Sequence, residues 1–294
     1  MTTTWDLVVV GAGTAGIPAA IAAVEHGGRV LLLDAAEVWG GTLHVATGWL
    51  SAAGTRVQRE QGILDSPDDH FDDVMRISKG SADQTLVRLA VDNAAPAFDW
   101  LMDNGFNLLP GHPVQGEKHG GYRVPRYYCG SNKAHSILAV LDRKLRESIA
   151  SGRLEIKLST EVTSLLTEPE PGSDAAETPL QRVVGVVAID KTQPGSAPQT
   201  YRSRAVVLST GGYNADPEKF AEFSGRTLYS AESYPYARGV GLTLGTSVGG
   251  WTRGQENFLC SFGSVLEHDD YPSPVYCQPE HRPEHRLPWE IYVN

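Results

Sequence analysis

The chain has 294 residues, enough for one large domain or two modest ones around a sizeable core. Hydrophobic residues make up 41% and charged residues 20%, which is a globular composition and excludes general disorder. Lysine and arginine total 25 against 35 acids, a net charge of −10 that disfavours nucleic acid or an anionic membrane surface as partner.

Asp6-Leu-Val-Val-Val10 is a short run rich in β-branched residues, the pattern of a strand buried on both faces. Gly11-Ala-Gly13-Thr-Ala15-Gly16 follows at once, then a helical stretch over residues 17–26, then a second strand over residues 29–33 that ends in Asp34. In this order Gly11 permits the tight turn, Gly13 lets the backbone approach a pyrophosphate, and Gly16 lets helix and strand pack closely. The helix start offers unpaired N–H groups and a positive dipole end to phosphate. Asp34 stands eighteen residues past Gly16, placed to accept hydrogen bonds from ribose hydroxyls. An acid at that position disfavours a 2′-phosphate, which leaves FAD or NAD as the dinucleotide.

The next segment, Trp39-Gly40-Gly41-Thr42-Leu43-His44-Val-Ala-Thr47-Gly48-Trp49, continues through small residues to Gly54 instead of starting another strand–helix unit. Glycines and small side chains let backbone amides reach a large flat ligand. This spacing resembles the flavoprotein subunit family of fumarate reductases and succinate dehydrogenases, which also contains ketosteroid dehydrogenases. The resemblance implies that Ala15, Asp34, Thr42, Leu43, Thr47 and Gly48 touch FAD, with Gly41 in the same loop. Trp49 stands where many members carry a second glycine.

Helices are expected over residues 68–78 and 83–104, matching paired helices of the family. Ser66-Pro67-Asp68-Asp69 supplies a capping hydroxyl, a first-turn proline and acids on the dipole, so these carboxylates read as capping groups. His119 to Tyr128 resembles the family's glycine-pair-to-arginine stretch, with a helix expected over residues 131–148. Strands are expected at 154–158 and 161–163, and the resemblance gives the Val162 backbone to the adenine. Residues 168–179 are acidic and broken by proline, a connection inside a small antiparallel insert whose strands are expected at 182–190 and 199–202. Ala205-Val-Val-Leu208-Ser-Thr210-Gly211-Gly212 is a buried strand ending in a second glycine turn, where backbone meets the dinucleotide. Ala237-Arg-Gly239-Val240-Gly241 resembles the family's Gly-Asp-Gly turn and following helix, with Val240 where the acid is expected.

The expected fold class is α/β: a Rossmann-like FAD-binding domain over residues 1–262, with a parallel sheet, helices and an antiparallel β insert. Residues 263–294 would begin a substrate-capping domain, and Trp289 to Asn294 resembles the strand leading into it. The resemblance implies hydride transfer between flavin N5 and a carbon–carbon bond of a small organic acid or steroid-like substrate. Such chemistry needs a separate acid–base group, and none matched to the family occurs before Asn294. The chain is therefore expected to be an amino-terminal portion, a remnant that binds FAD without catalysis, or one half of a split enzyme with a carboxy-terminal partner polypeptide.

Cys129, Cys260 and Cys277 are far apart and form no CxxC, so neither a disulfide framework nor a zinc knuckle is expected and a cytoplasmic location suits them. No run of about eighteen apolar residues occurs, so no membrane span is expected. The start of the chain has no basic region of a signal peptide. His281-Arg-Pro-Glu284-His285 has the order of a zinc-protease motif, but Pro283 opposes the helix such a motif needs, and a polar loop is expected. His44 is a candidate for covalent flavin attachment, lacking the usual Ser-His-Thr context. His119, Arg123 and Arg126 would grip an anion or stand on a solvated hairpin. Trp49, Tyr127 and Tyr128 would make an apolar substrate wall or a core. An NAD-dependent dehydrogenase is the remaining alternative.

Overall fold

The computed structural model describes residues 4–115, 121–170, 181–193, 195–230, 233–254, 265–273 and 275–277. In chain order the elements begin β1 (Trp5–Val10), α1 (Gly16–Glu25), β2 (Val30–Leu33), β3 (Leu50–Ser51), α2 (Arg56–Glu60), α3 (Pro67–Ile77) and α4 (Gln84–Asp103). They continue with β4 (Tyr127–Tyr128), α5 (Ala134–Ala150), β5 (Leu154–Lys157), β6 (Thr160–Pro169), β7 (Gln181–Asp190) and β8 (Gln199–Leu208). The last are α6 (Pro217–Ser224), α7 (Val240–Ser247), β9 (Val265–Leu266) and β10 (Val275–Cys277). Two compact units result, one from residues 1–42 with 144–294 and one from residues 43–143.

The first unit is built on a six-stranded sheet in the order β5-β2-β1-β8-β7-β6. The β5, β2, β1 and β8 strands run parallel, with Val8 opposite Leu31 on one side and opposite Val206 on the other. Parallel strands are covered on both faces, which is why β1 and β2 read as continuous apolar runs: Val8, Val9 and all of β2 are buried. Trp5, Val10, Leu31 and Leu33 meet Val162, Val186 and Leu244 in one core cluster.

The antiparallel insert is present as β6-β7-β8, and its strands are longer than the sequence pattern suggests. β8 serves two sheets in succession. Its first residues pair antiparallel with β7, from Gln199 opposite Ala188 to Arg202 opposite Gly185. From Ser203 onward it pairs parallel with β1. What reads as two strands is one continuous strand that ties the insert to the parallel sheet.

In the second unit α3 and α4 pack together, each with a side-chain cap. The Ser66 hydroxyl accepts from the Asp69 amide at 3.1 Å, and Asp83 accepts from the Thr85 and Leu86 amides. Asp68 and Asp69 occupy the first turn of α3, as expected of dipole-facing acids. The helix expected from residue 131 begins at Ala134 instead. Residues 131–133 form a turn with Lys133 in the left-handed region at φ 51°, and the Asn132 amide donates to Ser136 Oγ. β3 and β4 pair antiparallel, Ser51 opposite Tyr127. Among the described residues no helix is long and apolar enough to cross a membrane.

Candidate dinucleotide site

β1 delivers the chain into the first glycine turn. The Gly11 amide donates to the Leu33 carbonyl at 2.8 Å, and Gly11 has φ +103°, a region that favours glycine. A Cβ on Gly11 would strike the Ser209 carbonyl, and one on Gly16 would overlap the Gly11 carbonyl. Both residues are thus set by packing of protein on protein. Gly13 differs. A Cβ there would meet only Gly41 Cα, at 3.8 Å, an ordinary contact, and its φ is not positive. The fold leaves that room open.

α1 begins without a side-chain cap and without an acid in its first turn. Ala15 stands at the N-cap, so the helix's positive end faces outward unneutralised. A helix start of this kind, preceded by a glycine backbone with free space beside it, receives an anion readily.

The second glycine turn lies beside the first because β8 is the parallel neighbour of β1. Ser209 joins them: its amide donates to the Val10 carbonyl at 2.8 Å, and its hydroxyl reaches the Val10 and Gly11 carbonyls, each at 2.9 Å. Thr210 Oγ1 accepts from the Gly241 amide at 2.9 Å, and the Gly212 carbonyl accepts from the Gly239 amide at 2.8 Å. These bonds fix the start of α7 against the turn. Val240 is the first residue of α7 and packs on the core cluster.

Gly11, Gly13, Ala15, Gly41, Thr42, Thr210 and Gly211 border one groove of about 610 Å³ in the first unit, together with Asp34 and Val162. Two first-unit residues from the sequence set stand back from it. Gly16 is buried behind the turn, and Gly212 is exposed and holds the start of α7. Asp34 accepts from the Ala12 amide at 2.5 Å through one oxygen and from the Ala36 amide at 2.7 Å through the other. Burial pushes its carboxyl above the usual range, against the lowering effect of those two amides. Each oxygen keeps a lone pair for a further donor. The groove lies where the strand order reverses between β2-β1 and β1-β8, the position at which open α/β sheets bind ligands.

Sequence reasoning missed Ser209 as a fastener and missed Lys191, Tyr234, Tyr236 and Arg238 on the groove's wall. The strand-to-turn order around residue 209 could have flagged the first. The other four come from loops and carry no periodic signal.

Leu43, Thr47 and Gly48 belong to the second unit. Leu43 is buried, and the Thr47 carbonyl accepts from Cys129 Sγ at 3.7 Å. Gly48 has φ +78°, and a Cβ on it would overlap the Ala134 amide at the start of α5. The ring of His44 lies 6.1 Å from that of His135.

In the second unit the expectation for Arg126 is corrected, and Tyr128 takes the core alternative. Arg126 is on no solvated hairpin: it is fully buried, bidentate to Asp65 at 2.9 and 2.6 Å and bonded to Asp73 at 2.8 Å. Its ion partners satisfy the guanidinium inside the unit, and Arg123 joins it on Asp73 at 2.6 Å. Tyr128 forms no exposed wall, being buried with its hydroxyl 2.6 Å from Thr55 Oγ1. Trp49 is partly exposed against His112 and Tyr127. Cys129 is buried, and burial raises its thiol, which opposes a nucleophilic role. His119, Cys260, the 281–285 motif and the strand expected at 289–294 lie outside the described residues. Among the described residues no group of His, Cys, Asp and Glu is placed to hold a metal.

Fold and groove together define a dinucleotide-binding α/β protein. The family model described as FAD binding domain matches residues 6–256. The chain belongs to that family, and FAD is its cofactor. A fumarate reductase of Schizosaccharomyces pombe is 31% identical over 257 residues, which cover 83% of this chain and 46% of that protein. A vinyl phenol reductase of Lactiplantibacillus plantarum is 29% identical over 275 residues, covering 92% of this chain and 51% of its own length. Among solved structures, the open conformation of a flavocytochrome c3 fumarate reductase superposes with a TM-score of 0.70 at 27% identity, over 84% of this chain and 40% of that one. The chain thus spans about half the length of the curated relatives it matches.

Proposed function

We propose that the chain is the FAD-binding part of an oxidoreductase acting on a carbon–carbon bond of a small organic acid or steroid-like substrate. Residues 1–262 would form the FAD-binding domain and residues 263–294 the start of a capping domain. The single observation that carries the reading is the pair of glycine turns on neighbouring parallel strands, bordering one groove with Asp34.

The residues fit the cofactor. The open space beside Gly13 and the uncapped start of α1 suit a pyrophosphate, and Asp34 suits ribose hydroxyls. The Val162 backbone would meet adenine, while Gly41 and Thr42 carry the chain onward along the groove. Leu43, Thr47 and Gly48 are assigned to FAD by the family resemblance alone. Bound FAD supplies the hydride acceptor or donor. This chain's residues bind and orient it. Under this proposal the proton-handling group comes from the half of the relatives that the chain does not span, in the same polypeptide or in a partner.

The test is reconstitution of the purified chain with FAD, followed by reoxidation of the reduced flavoprotein with fumarate or 4-vinylphenol. Retained visible flavin absorbance after gel filtration supports the cofactor reading, and a colourless chain with no thermal shift in FAD overturns it. Turnover with either acceptor supports an active oxidoreductase. Tight flavin binding without turnover favours the non-catalytic reading, whereas a lowered FAD affinity is what Val240 in the place of the family's acid implies.

A further inference from the structure

The groove has a feature that the cofactor fingerprint does not include. Residues 233–240 run along its wall and are tied to the loop after β8. The Ala215 amide donates to the Ala237 carbonyl at 2.9 Å, the Gly239 amide to the Gly212 carbonyl at 2.8 Å, and Ser233 Oγ to the Asn214 carbonyl at 2.9 Å. The Ala237 amide closes a turn back onto the Tyr234 carbonyl at 2.9 Å. This backbone carries Tyr234 and Tyr236 on the same side, their ring centroids 5.7 Å apart with an interplanar angle of 46°. Both tyrosines are half-buried and both line the groove that holds Asp34 and Val162. Lys191, itself 3.5 Å from Glu161, places its ammonium 5.7 Å from the Tyr236 ring centroid.

Two tilted aromatic rings beside a ribose-type carboxylate form a platform for a flat heteroaromatic group. Tyr234 stands by the ribose-type carboxylate: burial first, and then the Asp34 and Tyr236 charges, raise its hydroxyl above the usual range. The backbone hydrogen bonds of residues 233–239 hold both rings on the groove's wall, with the Lys191 ammonium over Tyr236.

We infer that Tyr234 and Tyr236 form an adenine-stacking wall that makes this groove selective for the adenosine diphosphate half of FAD. The inference rests on the groove being the FAD site and adds the residues that recognise the purine. Every described residue bordering the groove belongs to the first unit, so ADP alone should bind there. Stacking of a base on an aromatic side chain is worth enough that its removal weakens binding by about ten- to a hundredfold.

The experiment titrates FAD and ADP separately against the full chain and against Tyr234→Ala, Tyr236→Ala, Tyr234→Phe and Tyr236→Phe. The expected result is that both alanine variants weaken ADP and FAD by the same factor, about tenfold or more. The phenylalanine variants should stay within about threefold of the parent, because the ring face is kept. Thermal midpoints without ligand should match the parent, which separates lost stacking from lost fold. Alanine variants that fold normally and bind ADP as the parent does would overturn the inference. So would phenylalanine variants as weak as the alanine ones, since the hydroxyls and not the rings would then be responsible. A parent chain that binds neither ligand overturns the FAD reading itself, a different failure from one confined to the variants.

Discussion

Gly13 and Gly41 face each other backbone to backbone: a Cβ on Gly41 would lie 3.0 Å from Gly13 Cα, whereas a Cβ on Gly13 would lie 3.8 Å from Gly41 Cα. The asymmetry separates folding from binding. Gly41 also has φ +54°, so alanine there is strained, while Gly13 carries no such constraint. Gly13→Ala should therefore fold with a thermal midpoint close to the parent's and yet bind FAD at least about tenfold more weakly, a change of about 1.4 kcal/mol. Isothermal titration and a melting curve on the same preparation check both halves. Unchanged FAD affinity would mean that the pyrophosphate passes elsewhere.

Gly16 makes the opposite case. Its neighbours are the Gly11 carbonyl and the Ser209 hydroxyl, and the first is backbone fixed in a turn that cannot yield. Gly16→Ala should destabilise the chain by about 3 kcal/mol or more with or without FAD, through overpacking. Chemical denaturation reads this directly, and a stability within error of the parent would show that α1 can shift.

The parts legible in the sequence are those whose cause is local. β1, β2 and the end of β8 announce themselves as apolar runs because parallel strands are buried on both faces, and the first turn because glycine is required there by touching backbone. α5 starts later than its sequence pattern suggests because Lys133 adopts φ 51°, which no local pattern signals in a lysine. The surroundings of Arg126 are illegible for a different reason. Its partners Asp65 and Asp73 are 61 and 53 residues away, and they meet only once β4 has paired with β3 and α3 has packed. Tyr234 and Tyr236 reach the groove through loop hydrogen bonds, which sequence periodicity does not record.

The Arg126 cluster gives a stability prediction. All three side chains are fully buried, and Asp73 also accepts from Arg76 at 2.8 Å and from Arg123. Burial alone would raise the Asp73 carboxyl; hydrogen bonds from Arg76 and Arg123 and the Arg126 charge outweigh it and hold the group well below the usual range. Asp65 has only Arg126 as its ion partner among the described residues, with Gln58 donating at 2.9 Å. Arg126→Met should thus cost about 3–5 kcal/mol by leaving the buried Asp65 carboxylate uncompensated. Adding Asp65→Asn should recover part of that loss, because it removes the orphaned charge. Denaturation midpoints of the two single variants and the double variant test this, and strictly additive losses would contradict it.

His70 makes stability depend on pH in a defined window. The ring is buried, with Nε2 3.3 Å from Ser51 Oγ and 3.2 Å from the Tyr122 hydroxyl, while Nδ1 has no partner among the described residues. Burial first, and then the Arg126 charge, lower its pKa from 6.5 to about 4, against the weaker pull of Asp65 and Asp73. The folded state therefore resists protonation that the unfolded chain accepts below pH 6.5. Where the unfolded state binds more protons, stability falls as pH falls, so this term is lost between 6.5 and about 4. Asp34, with its raised carboxyl, contributes in the opposite sense, gaining stability on acidification as the folded state protonates first. Comparing the parent with His70→Phe cancels that contribution, since both proteins keep Asp34. The parent should lose about 2 kcal/mol more than the variant between about pH 7 and about pH 4.5 in urea denaturation. Parallel losses in the two proteins would show that the imidazole is solvated and titrates normally.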